Sequence, residues 1–426
     1  MARIRSDLYG PSLGAPPHLP ELSHNEGAPT EGRPYRSSLT TNPRSQAPSK
    51  LLIRAPNWVG DAVMALPALR ELRRIFGDSL ITIAARPWVA GLFEGEGLAD
   101  SFVPVRDNGG FFNRARHFIN DATSLRSKRF DYAVLLPNSF GSALAARAGG
   151  ATTIAGYPTD GRRLLLNHIL AFEPQHKTSH QVRYYLNIAA QIETRLTGST
   201  RVDFEHCEPQ LQVTQDQKER TRLLLGRFGL KLEAEVIGGA QPELGPDLDD
   251  HQVRAEGSRP TCHFPTLALN PGATNSSAKR WPADRFAETA DRFNREGFQT
   301  LIVGAQGDRK VAEEVARLMT TPAVLIAGET SIAELKGVLA CAALVISNDT
   351  GAAHVAAALG VPTVVVFGPT EHISTRPLSK RSAVIRHDVE CSPCMLRECP
   401  IDHRCMTGVQ VEDVLRAARQ LLAVAV

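Results

Sequence analysis

The stretch KLLIRAPNWVGDAVMALPALRELRRIFGDSLITIAA, residues 50–85, decides the fold class. LLIR has the pattern of a buried strand, residues 62–76 are amphipathic at helical spacing, and LITIAA has the pattern of a second strand. A strand, a helix and a strand in this order make a β-α-β unit, which predicts a parallel sheet. We therefore expect an α/β protein.

The same alternation continues on both sides of an irregular stretch. Strands are predicted at 131–137 and 151–157, and helices at 139–148 and 180–197. Residues 232–262 are rich in Pro, Gly and acids and predict a linker with an inserted loop. TLALNPGA then restarts the pattern. Strands are predicted at 299–305, 323–328, 342–347 and 363–368, and helices at 283–295, 311–319, 331–339 and 352–359. Two α/β halves joined by a linker favour a ligand site in the cleft between them.

These patterns predict five segments along the chain. Residues 1–49 lack apolar periodicity and are expected to be a disordered leader. The first domain is expected at 50–230, the linker at 231–264 and the second domain at 265–410. An amphipathic helix at 411–426 can belong to either domain.

Length and composition bound the function. A chain of 426 residues exceeds what one core usually serves. With 48 basic and 45 acidic residues the net charge is only +3, which argues against a nucleic-acid partner bound by phosphate neutralisation. No apolar run reaches the roughly 18 residues of a membrane span, and seven cysteines fit a reducing compartment. We expect a cytoplasmic protein.

Polar and small residues follow the strands of the second half, at the edge where α/β proteins bind ligands. Thr350 and Gly351, after the acid Asp349, stand where a helix begins, which suits a diphosphate. Lys279 either adds a cation to that site or is a solvated surface lysine. His354 either donates to a phosphate or sugar hydroxyl or is a core residue. The chain lacks both Gly-x-Gly-x-x-Gly after the first strand and the Gly-Lys-Ser/Thr phosphate loop, which disfavours dehydrogenases and NTPases.

Asp61 begins the first helix of the first half and admits two interpretations. It is a favourable acid at a helix start, or it is a general base in a turned, partly dry pocket formed by PNWVGDAV. The basic run that contains Arg162, Arg163, Lys177 and His180 is either a solvated surface or a site for an anionic acceptor.

Four cysteines lie close together near the C-terminus, in CSPCMLRECPIDHRC. Cys391 and Cys394 have the Cys-x-x-Cys spacing that begins many zinc sites, and Cys399 and Cys405 follow at wider spacing. The sequence leaves open a structural zinc ion or small thiols packed in a tight loop.

Several of these motifs together resemble glycosyltransferase family 9, the heptosyltransferases. The resemblance runs from about residue 50 to the C-terminus and includes PNWVGDAVMALPALRELRR, GYPTDGRRLLLNH, NPGATNSSAKRWPADRF and SNDTGAAHVAAALGVPTVVVFGPT. It implies a GT-B architecture, in which two Rossmann-like domains with parallel sheets face each other. The acceptor would bind the first domain and the nucleotide-sugar the second.

The resemblance also implies an activity and roles for residues. The family moves L-glycero-D-manno-heptose from ADP-heptose onto the first heptose of the lipopolysaccharide inner core, with inversion and without a metal. Asp61 would be the general base and Lys279 a diphosphate partner. The remaining donor-site residues would be Thr274, Asn275, Gln306, Asp349, Thr350, Gly351 and His354.

The implied partners are ADP-heptose, a lipid A-Kdo-heptose acceptor that meets the basic run, and the inner face of the inner membrane, contacted peripherally. Two alternatives remain open. One is another family 9 heptosyltransferase that adds heptose I or a later heptose. The other is a nucleotide-sugar-binding module without turnover.

Overall fold

The computed structural model describes residues 48–106, 111–172, 179–230, 264–274 and 276–424, without the side chains of 111–117. Nearly all of the predicted leader, the whole predicted insertion at 232–262, and the site candidates Lys177 and Asn275 lie outside the described residues. All described residues belong to the compact unit Pro43–Val426.

The first half of the described chain is built on a parallel sheet of six strands. Its strand order is β3-β2-β1-β4-β5-β6, and every neighbouring pair is parallel. The strands are β1 Lys50–Arg54, β2 Leu80–Ala85, β3 Ser101–Pro104, β4 Tyr132–Leu135, β5 Thr153–Gly156 and β6 His168–Ile169. The helices are α1 Val59–Met64, α2 Leu66–Ile75, α3 Pro87–Ala90, α4 Phe111–Lys128, α5 Phe140–Ala148, α6 Gln181–Thr197 and α7 Gln215–Arg227.

The second half repeats this plan. Its sheet has the order β12-β11-β10-β7-β8-β9, again with parallel neighbours. The strands are β7 Thr266–Asn270, β8 Gln299–Ile302, β9 Ala323–Leu325, β10 Leu344–Asn348, β11 Thr363–Phe367 and β12 Ser382–Arg386. The helices are α8 Ala283–Arg295, α9 Arg309–Leu318, α10 Ile332–Ala340, α11 Gly351–Ala358, α12 His372–Thr375, α13 Arg404–Thr407 and α14 Val411–Ala423. The predicted α/β class is confirmed.

The first predicted helix is divided in the structure. The pattern at 62–76 predicted one helix, whereas α1 ends at Met64 and α2 begins at Leu66 with Pro67 in its first turn. Proline has no amide hydrogen to continue the bonding of the preceding helix, but it fits the first turn of a new one. The break leaves α1 as a short helix directly after β1, so its first turn lies at the carboxyl end of a central strand.

The last helix belongs to the second half. α14 packs against α8 and against β11 and β12, which settles a placement that the sequence left open. The other helix with an unexpected neighbour is α7, which packs against α10 although the predicted boundary places it in the first domain. The domain boundaries themselves stay predictions.

The two halves share a hydrophobic core and a buried ion pair. One cluster of buried side chains runs from Leu51 and Val63 in the first half to Val338 and Val355 in the second. Beside it, Lys336 Nζ of α10 donates to Glu96 Oε1 at 3.0 Å, and both side chains are at most 1% exposed. Both groups would be costly to bury without a partner, so this pair favours one position of the second half relative to the first.

None of the described helices combines the length and apolar character that crossing a bilayer requires.

Candidate active site

The first turns of α1 and α11 meet where the two halves face each other. α1 follows β1 and α11 follows β10, so each helix starts at the carboxyl edge of its sheet. A methyl group on Gly351 would lie 2.7 Å from Cβ of Val59, and one on Gly60 would lie 3.1 Å from Cδ2 of His354. Glycine at both positions permits this close approach of the two helices.

Asp61 lies in the first turn of α1, facing charged groups of the other half. Burial raises the pKa of its carboxyl to about 6, while the positive charge of Lys279 opposes this rise and the negative charge of Asp349 adds to it. The structure thus brings Asp61 together with two candidates that lie more than two hundred residues further along the sequence. A carboxylate with a pKa near neutrality suits proton transfer.

Lys279 and Asp349 form an ion pair in the second half. Lys279 Nζ lies 2.7 Å from Asp349 Oδ2, and the side chains are 27% and 8% exposed. The Thr370 hydroxyl donates to the same oxygen at 2.8 Å. An ammonium group carries three hydrogens, so Lys279 can contact a phosphate while it keeps this bond.

Buried asparagines at the ends of β7 and β10 hold the surrounding loops. Asn348 Nδ2 donates to the carbonyls of Pro271 and Gly272 at 2.8 and 3.2 Å, and the amide of Trp281 donates to Asn348 Oδ1 at 3.0 Å. These bonds fix both ends of the loop that carries Lys279. The sequence reasoning did not assign Asn348 this role, although an amide that ends the apolar run LVISN was a usable signal.

The hydroxyl of Thr350 is fixed by side chains of the strands β7 and β10 rather than by its own helix, α11. Asn270 Nδ2 donates to Thr350 Oγ1 at 2.7 Å, and the Ser347 hydroxyl lies 3.2 Å from it. Thr350 is the N-cap residue of α11, and its side chain does not cap this helix. The first amides of α11 are therefore not capped by this side chain, and they lie at the positive end of the helix dipole, where α11 meets α1.

His354 is buried one turn into α11. Burial lowers the pKa of its imidazole to about 4, although the nearby Asp349 acts in the opposite direction. At neutral pH it is therefore an uncharged donor or acceptor, which packs against Gly60 of the first half.

The other donor-site candidates lie along the carboxyl edge of β7 and β8. Thr274 Oγ1 donates to Asp308 Oδ2 at 3.2 Å, and the amide of Ala305 donates to the same oxygen at 3.3 Å. Gln306 is exposed, and its side chain contacts Gly328. Glycine is required at 328 because its φ is +86° and because a larger residue would collide with Gln306. The buried Asp308 supports this edge, and the exposed side chains of Thr274 and Gln306 can reach a ligand there.

The expectation that Arg162 binds the acceptor is wrong for this arrangement. Its side chain is fully buried, and its guanidinium donates to the carbonyls of Tyr157 and Pro137 and to the Ser142 hydroxyl. Burial lowers the pKa of the Arg162 guanidinium to about 10, so it remains charged at neutral pH. Its hydrogens are used to hold loops of the first half, whereas the neighbouring Arg163 is exposed.

His180 connects the two halves. Its Nδ1 accepts from the amide of Val182 and caps α6, and its Nε2 lies 2.8 Å from the carbonyl oxygen of Arg376. Burial lowers the pKa of the His180 imidazole below its ordinary value. His180 therefore lies in the cleft as a neutral bridging side chain rather than as part of a cationic surface.

The four clustered cysteines surround a small cavity of about 70 Å³ together with His403. Cys391 and Cys394 are exposed and Cys405 is buried. Among the residues that the structure describes, no three His, Cys, Asp or Glu side chains already stand as a metal-binding group.

Comparison with known proteins gives the class of protein that this fold and site define. Over 88% of this chain and 99% of the other, the fold matches the structure of the Escherichia coli ADP-heptose LPS heptosyltransferase II with a TM-score of 0.66 and 25% identity. A family 9 glycosyltransferase from Veillonella parvula matches with a TM-score of 0.68 over 88% of this chain and 97% of that chain, at 21% identity. The predicted GT-B architecture, two facing α/β domains, is confirmed.

Sequence comparison identifies the family within that class. The profile of glycosyltransferase family 9 (heptosyltransferase) matches residues 120–404, and the chain belongs to this family. Lipopolysaccharide heptosyltransferase 2 of Escherichia coli K12 is 29% identical over 79% of this chain and 88% of its own length. Lipooligosaccharide heptosyltransferase 2 of Campylobacter jejuni is 26% identical over 87% and 99%. The chain is thus a glycosyltransferase, as the sequence motifs predicted.

Proposed function

We propose that this enzyme transfers L-glycero-D-manno-heptose from ADP-heptose to the first heptose of the lipopolysaccharide inner core, with inversion of the anomeric centre. The observation that carries the proposal is the meeting of Asp61 from one half with Lys279 and Asp349 from the other. An inverting displacement needs a base at the acceptor hydroxyl and a group that stabilises the leaving diphosphate on the opposite side. The facing halves supply one each.

Each participant then has a defined task. Asp61 takes the proton of the acceptor hydroxyl while its oxygen bonds to the anomeric carbon and the bond from that carbon to the diphosphate breaks. Lys279 and the first amides of α11, at Gly351, receive the negative charge that develops on ADP. Asp349 binds a heptose hydroxyl with the carboxylate oxygen that Lys279 leaves open. No metal is required in this scheme, because an ammonium group and a helix terminus take its place.

The remaining donor residues hold the nucleotide. Thr274, Asn275 and Thr350 would contact the phosphates, His354 would contact a phosphate or sugar oxygen as a neutral imidazole, and Gln306 would reach the ribose. The acceptor would enter from the first half, where Arg163 is the exposed arginine of the basic run. Arg162 serves this side indirectly, because it fixes the loop that carries Arg163.

Mass spectrometry of the products tests the proposed function. Acceptors with no heptose, one heptose and two heptoses are incubated with ADP-heptose, and a gain of one heptose is expected only for the acceptor with one. A gain on the heptose-free acceptor, or only on the acceptor with two, would identify another family 9 activity. If all three acceptors stay unchanged and no ADP is released, the chain is a binding module.

The pH profile of kcat/KM should fall below pH about 6, because Asp61 must be ionised to accept a proton and burial raises its pKa to about 6. Below that pH the rate should drop about tenfold for each unit. Initial rates with a water-soluble acceptor would be measured from pH 4 to pH 8. A fall that begins only near the ordinary aspartate value, close to 4, would contradict the role of Asp61.

We also propose that the first half contacts the cytoplasmic face of the inner membrane, where a lipid-linked acceptor is embedded. The turn after β5 buries Arg162 and leaves Leu164 94% exposed, the reverse of the usual preference. Beside it, α5 presents Phe140, Leu144 and Arg147 on one exposed face, at helical spacing. Exposed apolar tips next to arginines suit an anionic lipid surface.

Replacing Leu164 with aspartate should weaken binding to anionic phospholipid vesicles at least tenfold. The side chain loses apolar burial worth about 1.5–3 kcal/mol and gains a repelled charge. Vesicle flotation measures the effect. Leu223→Asp, at a leucine 58% exposed on α7, is the matched control and should bind vesicles normally. Equal loss in both variants, or loss in neither, would refute this surface.

A further inference from the structure

The segment between β12 and α13 is bonded to the two loops that reach Asp349. The amide of Ala278 donates to the carbonyl of Arg397 at 3.1 Å, so the segment contacts the loop of Lys279. The amide of Met395 donates to the carbonyl of Pro369 at 2.8 Å, next to Thr370. Because Lys279 and Thr370 both bond to Asp349, this segment supports the centre of the donor site from outside.

His403 adds a further bond to the same loop. Its Nε2 lies 2.6 Å from the carbonyl oxygen of Ala278. The imidazole is thus directed at the loop of Lys279, although His403 also borders the cavity that the cysteines surround. The four thiols border the same cavity, together with side chains such as Leu396, Ile401 and Arg404.

Little in the segment itself explains why it holds one conformation. Residues 387–403 form neither helix nor strand. Three of its large apolar side chains are mostly or half exposed, namely Met395 at 58%, Leu396 at 46% and Ile401 at 59%. Small folds with little buried apolar surface are commonly stabilised by disulfides or a metal, and a cross-link of this kind would stabilise this segment in the same way.

The cysteines are placed to make such a cross-link. Cys391, Cys394, Cys399 and Cys405 all border one cavity of about 70 Å³, which has room for an ion between them. A metal cation binds thiols as thiolates, so four thiols around one cavity form a set of ligands for such an ion.

We propose that these four thiols bind one tetrahedral metal ion that takes thiolate ligands, Zn²⁺ or Fe²⁺, and that this ion holds the segment against the donor loops. Four sulfur ligands in tetrahedral arrangement select these metals. The side chains surround the cavity without yet standing in ligand positions, so binding requires them to turn inward. The effect on the donor loops rests on the proposed function, whereas the metal site does not.

Metal content is measured on the full chain, purified without an affinity tag that binds metals and with reductant present. We expect about one zinc or iron per chain by elemental analysis, and its loss in Cys394→Ser/Cys399→Ser. Cys341→Ser, at a buried cysteine outside the cavity, is the control and should keep the metal. Less than a tenth of an equivalent in the wild-type protein, even after reconstitution with Zn²⁺ and Fe²⁺, would overturn the site.

Cobalt titration gives a reading that does not depend on whether the variants fold. The metal-depleted wild-type chain should take up one Co²⁺ and develop the absorption bands of tetrahedral thiolate coordination. Bands typical of octahedral oxygen ligands would overturn the site. So would a mass that shows disulfides among the four cysteines in freshly purified protein.

The link to the donor site is read from ADP affinity, by calorimetry before and after removal of the metal. We expect Kd to rise about tenfold, since reordering even a single loop residue costs about this much. An unchanged Kd would overturn the link and leave the metal site standing. Failure of heptose transfer with intact metal and ADP binding would instead count against the proposed function.

Discussion

Asp61→Asn should lower kcat by about 10²- to 10⁴-fold, the usual contribution of a positioned general base. The amide has nearly the size of the carboxylate but cannot take up the proton of the acceptor hydroxyl. ADP affinity should stay the same or rise slightly, because the substitution removes a negative charge that lies near Lys279 and the diphosphate site. Steady-state rates and calorimetry with ADP separate the two effects.

A matched control makes this result specific. Asp78→Asn makes the same chemical change at an exposed position and should leave both quantities at the wild-type level. The pH profile of the residual activity in Asp61→Asn should also lose its fall near 6. Turnover within threefold of wild type would remove Asp61 from the reaction.

Lys279→Ala should weaken ADP binding at least tenfold and lower kcat by about 10²- to 10³-fold, because the departing diphosphate loses its cation. The substitution also removes the ammonium group that lies 2.7 Å from Asp349 Oδ2, and the side chain of Asp349 is only 8% exposed. A buried carboxylate that loses its partner repels the phosphates as well, so the loss exceeds that of a single contact. Calorimetry with ADP and single-turnover rates measure the two parts.

Two further variants separate charge from structure. Lys279→Arg keeps the charge in a different shape and should recover part of the ADP affinity. Lys310→Ala removes an exposed lysine of α9 and should change neither quantity. If Lys279→Ala binds ADP as the wild type does, with an unchanged melting temperature, the diphosphate role is excluded.

The order of the elements and the edge that carries the site follow from local sequence. Continuous apolar runs that alternate with helical segments identify β1, β7, β10 and β11. Polar residues such as Asp61 and Asp349 follow these strands at their carboxyl ends. Elements with weaker patterns or short length were missed, namely α3, α4, α7, α12, α13, β3, β6 and β12. For α7 the sequence did contain a start signal, since Thr214 and Gln217 form a capping box there. The polar sequence of the helix obscured this signal.

The environment of individual side chains was harder to predict, because distant parts of the chain determine it. RRLLLNH gives no local reason for Arg162 to be buried and Leu164 exposed. The reason lies in carbonyl groups about twenty-five residues earlier, such as that of Pro137, which the guanidinium reaches only in the folded chain. The bonds of Asn348 to Pro271 and Gly272 likewise join residues more than seventy positions apart.

The shared core and the Lys336–Glu96 pair restrict how this enzyme can be recombined. A chimera that grafts a second half without a lysine at the place of Lys336 onto residues 48–230 would leave Glu96 unpaired, and it would replace the part of the apolar cluster at Val338 and Val355. Such hybrids should be recovered as insoluble protein unless α7 and the Glu96 loop are exchanged together with the donor half. Donor specificity is therefore better altered by substitutions within the cleft than by swapping whole modules.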